Sequence, residues 1–123
     1  MANPNIVNVA SIYGNTSYLI PSTTAATTWT ALTPAAGTVN KIDNIVASNV
    51  TAAVATLTVS INSAAAGAGT AYRLVYQVPV PVNASIVIAD KSTAFYLGEA
   101  QSIVVTVGTA SAIELTASYE AIT

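Results

Sequence analysis

The chain contains no cysteine and no histidine, and its 123 residues include only 3 basic and 5 acidic side chains. Without thiols and imidazoles there is no disulfide, no cysteine or histidine catalysis and no ordinary zinc or haem site. The basic residues Lys41, Arg73 and Lys91 are too few to hold a phosphate backbone. We therefore expect no enzymatic activity, no cofactor, no metal ion and no nucleic-acid partner.

Long apolar runs are also missing. Threonine, serine and asparagine interrupt every hydrophobic stretch before it reaches the ~20 residues that cross a bilayer as a helix. The opening Met-Ala-Asn-Pro-Asn has neither the positive region nor the apolar region of a signal peptide. We expect a single domain over residues 1–123, with no signal peptide and no membrane partner.

Alternation of apolar and polar residues with a period of two is the strongest pattern present, and it is typical of half-buried strands. It predicts three strands with core-facing sets, formed by Ile113, Leu115, Ala117 and Tyr119, by Leu57, Val59 and Ile61, and by Tyr72, Leu74, Tyr76 and Val78. Residues 85–89 and 103–107 lack clear alternation because apolar residues fill both sets of positions. They predict strands covered on both faces.

Weaker strands are predicted at residues 6–13, 17–20, 28–32, 39–50 and 94–97. The segment 39–50 fits neither period, because Ile42 and Val46 share a face with Asn44, and a β-bulge would reconcile it. Turn signals recur every 8–12 residues, with Gly14-Asn15 among them. Pro79 and Pro81 cannot donate ladder hydrogen bonds, so they predict a connection or a sheet edge.

These patterns together predict an all-β fold. No segment shows an N-cap followed by helical apolar spacing over three turns. Eight to nine short strands with closely spaced turns are typical of an antiparallel two-sheet β-sandwich, and a jelly roll is the topology we favour.

Five carboxylates are the remaining candidates for acid–base chemistry or cation binding: Asp43, Asp90, Glu99, Glu114 and Glu120. They fall in different segments, and Glu114 and Glu120 occupy the polar face of a strand, so we favour solvated-face or turn roles. Lys41 and Asp43 are two residues apart and should share a strand face.

Asp90-Lys91-Ser92-Thr93 is predicted to form a turn. Gly67-Ala68-Gly69 lacks the lysine of a Walker motif and is predicted to be a hairpin connection.

The eight aromatic residues raise the question of sugar stacking. Tyr72, Tyr76 and Tyr119 fall on predicted apolar faces, which favours roles as core or rim anchors.

The scarcity of charge indicates a surface suited to protein contacts. A surface of threonine, serine, asparagine and alanine packs against protein with little ion desolvation. It suits a subunit of a homo-oligomer or of a larger assembly.

Residues 3–14, Asn-Pro-Asn-Ile-Val-Asn-Val-Ala-Ser-Ile-Tyr-Gly, resemble the start of small virion proteins of tailed phages, especially those of marine cyanobacteria. Residues 37–49 and 112–120 extend the resemblance in the expected order over nearly the whole chain. Leu97-Gly98-Glu99 departs from it, because a more acidic turn is expected there. The resemblance implies a non-enzymatic virion structural protein and supplies no catalytic residue.

A small β-rich virion protein fits best as a capsid decoration (cement) protein on the outer surface of the capsid. Its partners are then the major capsid protein and other copies of itself, with a trimer favoured because capsid lattices offer three-fold positions. A phage tail or tail-fibre component is the first alternative, although repeats and a shaft segment are missing. A carbohydrate-binding β-sandwich module is the second.

Overall fold

Nine antiparallel strands and three short 3-10 turns make up the regular structure of residues 9–123, the part of the chain that the computed structural model describes. The strands are β1 (Ile12–Leu19), β2 (Thr27–Thr28), β3 (Val39–Asn49), β4 (Ala55–Asn62), β5 (Ala71–Val80), β6 (Ser85–Ala89), β7 (Phe95–Leu97), β8 (Ser102–Val107) and β9 (Ile113–Ile122). The 3-10 turns are Thr30–Leu32, Ala65–Gly67 and Lys91–Thr93.

The strands form two sheets. The first sheet has the order β1-β9-β3-β6, with β7 also paired to β3, and the second has the order β2-β8-β4-β5. β6 and β7 pair with successive parts of β3, so they act as one edge strand interrupted by the Lys91–Thr93 turn. Each strand of one sheet is then joined in sequence to its counterpart in the other: β1 to β2, β9 to β8, β3 to β4 and β6 to β5. This is the connectivity of a jelly roll, and the predicted all-β sandwich is confirmed.

The two inner faces share one hydrophobic core. Its largest fully buried side chains include Leu57, Ile45, Ile103, Leu115 and Trp29. The indole Nε1 of Trp29 donates a hydrogen bond to Ser17 Oγ at 3.0 Å and so is satisfied inside the core. β9 follows its predicted alternation, since Ile113, Leu115 and Ala117 are buried and Tyr119 is half-buried.

The predicted bulge in β3 is confirmed. The register between β3 and β9 shifts between Ile42 and Asn44, which leaves Asp43 as the extra residue. Before the shift the even-numbered Asn40 and Ile42 are buried, and after it the odd-numbered Ile45 is buried. The bulge therefore reverses which residues of β3 face the core, and this explains why the segment fits neither simple period.

β5 differs from its prediction. Tyr72 and Tyr76 were expected on a core face, but they are 64% and 61% exposed. Two register shifts separate the pairings of β4 and β5, and Gln77 has a φ of +47°. These irregularities break the period of two after Arg73, so Tyr76 leaves the core side. Tyr72 still lies opposite Ile61, which packs against the core, and it is exposed on the edge strand β5. β5 is nevertheless the edge strand that Pro79 predicted.

Three further predictions are corrected or refined. β8 is covered on both faces as expected, but β6 is an edge strand whose Val87 is 61% exposed. β1 runs without a break through Gly14-Asn15, so the turn predicted there is wrong, and residues 6–8 lie outside the described residues. The strand predicted at 28–32 is reduced to Thr27–Thr28, followed by the first 3-10 turn.

Candidate interaction surface

The fold brings two of the five candidate carboxylates together. Lys41 lies opposite Glu120 in the β3–β9 ladder, and the bulge places Asp43 on the same side. Lys41 Nζ is 4.0 Å from Asp43 Oδ1 and 3.9 Å from Glu120 Oε2. The predicted Lys41–Asp43 pair is confirmed, whereas Glu120 joins it through strand pairing that sequence reasoning missed. All three side chains are more than a third exposed, so each pair is worth ~0–1 kcal/mol.

Asp90 has the turn role that the sequence predicts. Its Oδ1 accepts hydrogen bonds from the backbone N–H groups of Ser92 at 2.9 Å and Thr93 at 3.1 Å. The hydroxyl of Ser92 also donates to Oδ1, at 2.7 Å. Because all these bonds favour the ionised form, they lower the pKa of Asp90 below its ordinary value.

The remaining carboxylates stand apart from the Lys41 cluster. Glu99 accepts a hydrogen bond from the backbone N–H of Gly37, and Glu114 is exposed on the polar face of β9. Among residues 9–123, no three acidic side chains lie close enough to hold a metal ion. No helix within the same range is long and apolar enough to cross a membrane.

The glycine-rich segment folds onto the outer face of the second sheet. Asn62 Nδ2 donates to the carbonyl of Gly67 at 2.8 Å, and Ser102 Oγ accepts from the N–H of Gly67 at 2.9 Å. Ser102 Oγ also donates to the carbonyl of Ala64 at 2.8 Å. The N–H and the carbonyl of Gly67 are therefore both hydrogen-bonded within the protein. The segment is a β4–β5 connection, as predicted. It also buries Val104, which explains why β8 is covered on both faces.

The exposed aromatic residues are the main feature that the sequence did not predict. The expected anchoring role holds for the buried Trp29 and for the half-buried Phe95 and Tyr119. It is wrong for Tyr72 and Tyr76, which are exposed, and Tyr13, Tyr18 and Tyr96 are exposed as well. The guanidinium of Arg73 lies 5.1 Å from the ring centre of Tyr76, a cation–π contact on β5.

Several exposed apolar side chains share the outer face of the first sheet. Tyr18, Thr116, Val46 and Val87 are successive cross-strand partners in one row across β1, β9, β3 and β6. Tyr96 lies opposite Lys41 in a second row. Residues directly opposite in an antiparallel ladder point to the same side, so this face combines exposed apolar groups with the small charged cluster.

A second feature is an uncharged groove beside β1. Its volume is about 290 Å³, and Tyr13, Asn15, Tyr119, Thr33 and Thr38 are among its lining residues. Tyr13 and Asn15 are two apart on β1, and Asn15 pairs with Tyr119, so the three side chains lie on one side of the sheet. The groove offers aromatic rings, hydroxyls and an amide, and no charged side chain of residues 9–123 lines it.

Comparison of the chain with protein families, with curated proteins and with solved structures finds no match.

Proposed function

We propose that the protein is a non-enzymatic phage virion structural protein, a capsid decoration (cement) protein on the outer surface of the head. The observation that carries the proposal is the character of its surface. At least eleven tyrosine, isoleucine and valine side chains are exposed on a chain with only eight charged residues. Surfaces of this kind, rich in tyrosine and poor in charge, are typical of protein contacts.

The outer face of the first sheet is the part best suited to the major capsid protein. Tyr18, Val87 and Tyr96 supply apolar contact area there, and they lie around the charged group of Lys41, Asp43 and Glu120. Burying these apolar groups stabilises the complex by ~25 cal/mol per Å² of apolar surface removed from water. Few charged groups lose their hydration on binding, so the cost of desolvating ions is small. Binding should therefore change little with salt, since few charges contribute to it.

The resemblance to phage virion proteins is the reason for proposing a phage particle as the location. Within that particle, the shape of the domain favours the head over the tail. A compact jelly roll with an exposed face fits a lattice of repeated binding sites, where many modest contacts act together against the outward pressure of packed DNA. A tail or fibre protein would gain more from an elongated shaft, and none is present among residues 9–123.

The test is to locate the chain in particles of a phage that carries its gene. Antibodies against the purified protein should label the head surface in electron micrographs. Heads that lack the protein should release DNA at lower temperature or after milder osmotic shock than complete heads. Absence from purified particles, labelling of the tail, or equal DNA retention with and without the protein would contradict the proposal.

The non-enzymatic part of the proposal has its own test. Broad hydrolase, transferase and redox screens on the purified chain should show no turnover, because the carboxylates that do meet are exposed and bridged by Lys41. Turnover that disappears on changing Asp43, Asp90, Glu99, Glu114 or Glu120 would contradict it.

A carbohydrate-binding role is the second candidate, and the uncharged groove beside β1 favours it. Tyrosine rings stack on sugars, and the Asn15 amide and threonine hydroxyls suit sugar hydroxyls. Binding to an array of neutral glycans, measured for the wild-type chain and for Tyr119→Ala, distinguishes this role from the capsid role. Selective glycan binding that Tyr119→Ala abolishes supports it, and an array without signal ends it.

A further inference from the structure

The four sheet edges of the sandwich are protected to very different degrees. Unpaired backbone groups on an edge strand attract other strands, and proteins block them with bulges, proline, charge or short strands. β5 has two register shifts, Pro79 and Arg73. β2 is two residues long, and the edge formed by β6 and β7 is interrupted by the turn that contains Lys91. Three of the four edges therefore carry recognised protection.

β1 has none of these devices. Its eight residues pair with β9 in one continuous register from Ile12↔Ile122 to Leu19↔Leu115, without a bulge. Its sequence, Ile-Tyr-Gly-Asn-Thr-Ser-Tyr-Leu, has no proline and no charge. Within residues 9–123 it pairs with no strand on its other side. Ile12, Tyr13 and Tyr18 on this strand are all more than half exposed.

We infer that β1 is a homodimer interface, in which β1 of one copy pairs antiparallel with β1 of a second copy across a two-fold axis at Asn15. We place this axis perpendicular to the sheet, so that the inner faces of the two copies form one continuous surface. Each residue must then pair with a residue on the same face of the second copy. Because faces alternate along a strand, the two members of a pair are both odd-numbered or both even-numbered.

The register centred on Asn15 makes the strand complementary to itself. It places Ile12 beside Tyr18 of the second copy on the outer face, and symmetry repeats this contact. Ile12 is 55% exposed and Tyr18 is 73% exposed in the single chain, so an aromatic–β-branched pair would cover both. Tyr13 meets Ser17, Gly14 meets Thr16, and Asn15 meets its own copy. No pair brings like charges together.

The neutral character of β1 also explains why a second copy is the occupant that we propose. A partner with charged strand residues would find no complementary charge on β1, whereas an identical strand brings no charge and covers Ile12 and Tyr18 twice. The pairing is isologous and closes as a dimer. The inference does not depend on the capsid role, and the trimer expected from lattice geometry would need a different surface.

The experiment uses charge at the symmetry axis. Asn15 is exposed, so Asn15→Lys and Asn15→Asp should both fold, which circular dichroism checks. In light scattering coupled to size-exclusion chromatography, the wild-type chain should have twice the monomer mass. Each variant alone should be monomeric, because two like charges meet at the axis. An equimolar mixture of the two variants should restore the dimer, because opposite charges meet there.

Val87→Lys is the matched control, since it adds the same charge at an exposed strand position on the opposite edge of the first sheet. It should remain dimeric. A wild-type chain that stays monomeric at its highest soluble concentration, or one that forms trimers, overturns the inference. Asn15 variants that remain dimeric, a mixture that stays monomeric, or a monomeric Val87→Lys would also overturn it.

Discussion

Replacing Leu115 by aspartate tests the two-sided character of β9, and Thr116 is the neighbouring control. Leu115 is 1% exposed and lies on the inner face between Leu19 of β1 and Ala47 of β3. Removing a buried leucine costs about 2–5 kcal/mol, and burying a polar group without a partner adds about 1–3 kcal/mol. A loss of roughly 3–8 kcal/mol is comparable to the whole stability of an ordinary domain, about 5–15 kcal/mol.

Thr116 points to the opposite side of the same strand and is exposed, so Thr116→Asp should stay within about 0.5 kcal/mol of the wild type. Urea unfolding followed by the fluorescence of Trp29, the single tryptophan and 1% exposed, measures both variants. Part of the Leu115→Asp deficit should disappear as the pH falls from the folded carboxyl pKa, which burial raises, to the unfolded value of about 3.9, because protonation removes the added cost of burying a charge. Equal losses in the two variants would refute the assigned faces of β9.

Three smaller predictions concern hydrogen bonds and turns. Asn49→Leu should cost about 2–4 kcal/mol in urea unfolding, because its buried amide donates to two backbone carbonyls, at 2.8 and 2.9 Å, that would lose their partner. In acid unfolding, the stabilisation from Asp90 should be present above its unfolded pKa and lost as the pH falls through its lowered folded pKa. Asp90→Ala should remove that part of the acid dependence. Gly69→Ala should cost at least ~1 kcal/mol in thermal unfolding, because φ is +77° and the new Cβ would lie 2.9 Å from the Ala64 nitrogen. Gly14→Ala, with no atom within 4 Å of its Cβ, should change stability little.

The parts of the fold that could be predicted are those whose signal lies within one strand. β9 alternates without interruption along its buried half, so its core residues follow from the sequence. The bulge in β3 was also predictable, since a segment between strand signals that fits neither period needs one extra residue. In both cases the signal lies within the strand itself.

The remaining features depend on neighbours that are distant in sequence. β6 and β8 have similar apolar compositions, but β8 is central and covered by the Ala65–Gly67 turn, whereas β6 is an edge. Gln77 adopts a positive φ without the glycine that usually marks one. The pairing of Lys41 with Glu120 is a matter of register between strands almost eighty positions apart. No local pattern contains that information.

The proposed dimer and the proposed capsid role together make one further prediction, about binding strength. A two-fold axis perpendicular to the first sheet keeps both outer faces, with Val87 and Tyr96, on the same side of the dimer. A shell surface with repeated sites can then bind both copies at once, and the second contact forms at a high effective concentration. Asn15→Lys leaves Val87 and Tyr96 in place but separates the copies.

Purified heads that lack the protein provide the assay. The Asn15→Lys monomer should bind them at least ~10-fold more weakly than the wild-type dimer, because the bivalent gain is lost. The equimolar mixture of Asn15→Lys and Asn15→Asp should recover the wild-type affinity, although each chain still carries its substitution. Equal binding by monomer and dimer would show that the copies act singly on the shell. A mixture that forms the dimer but still binds weakly would mean that the substitutions at residue 15, and not the separation of the copies, cause the loss.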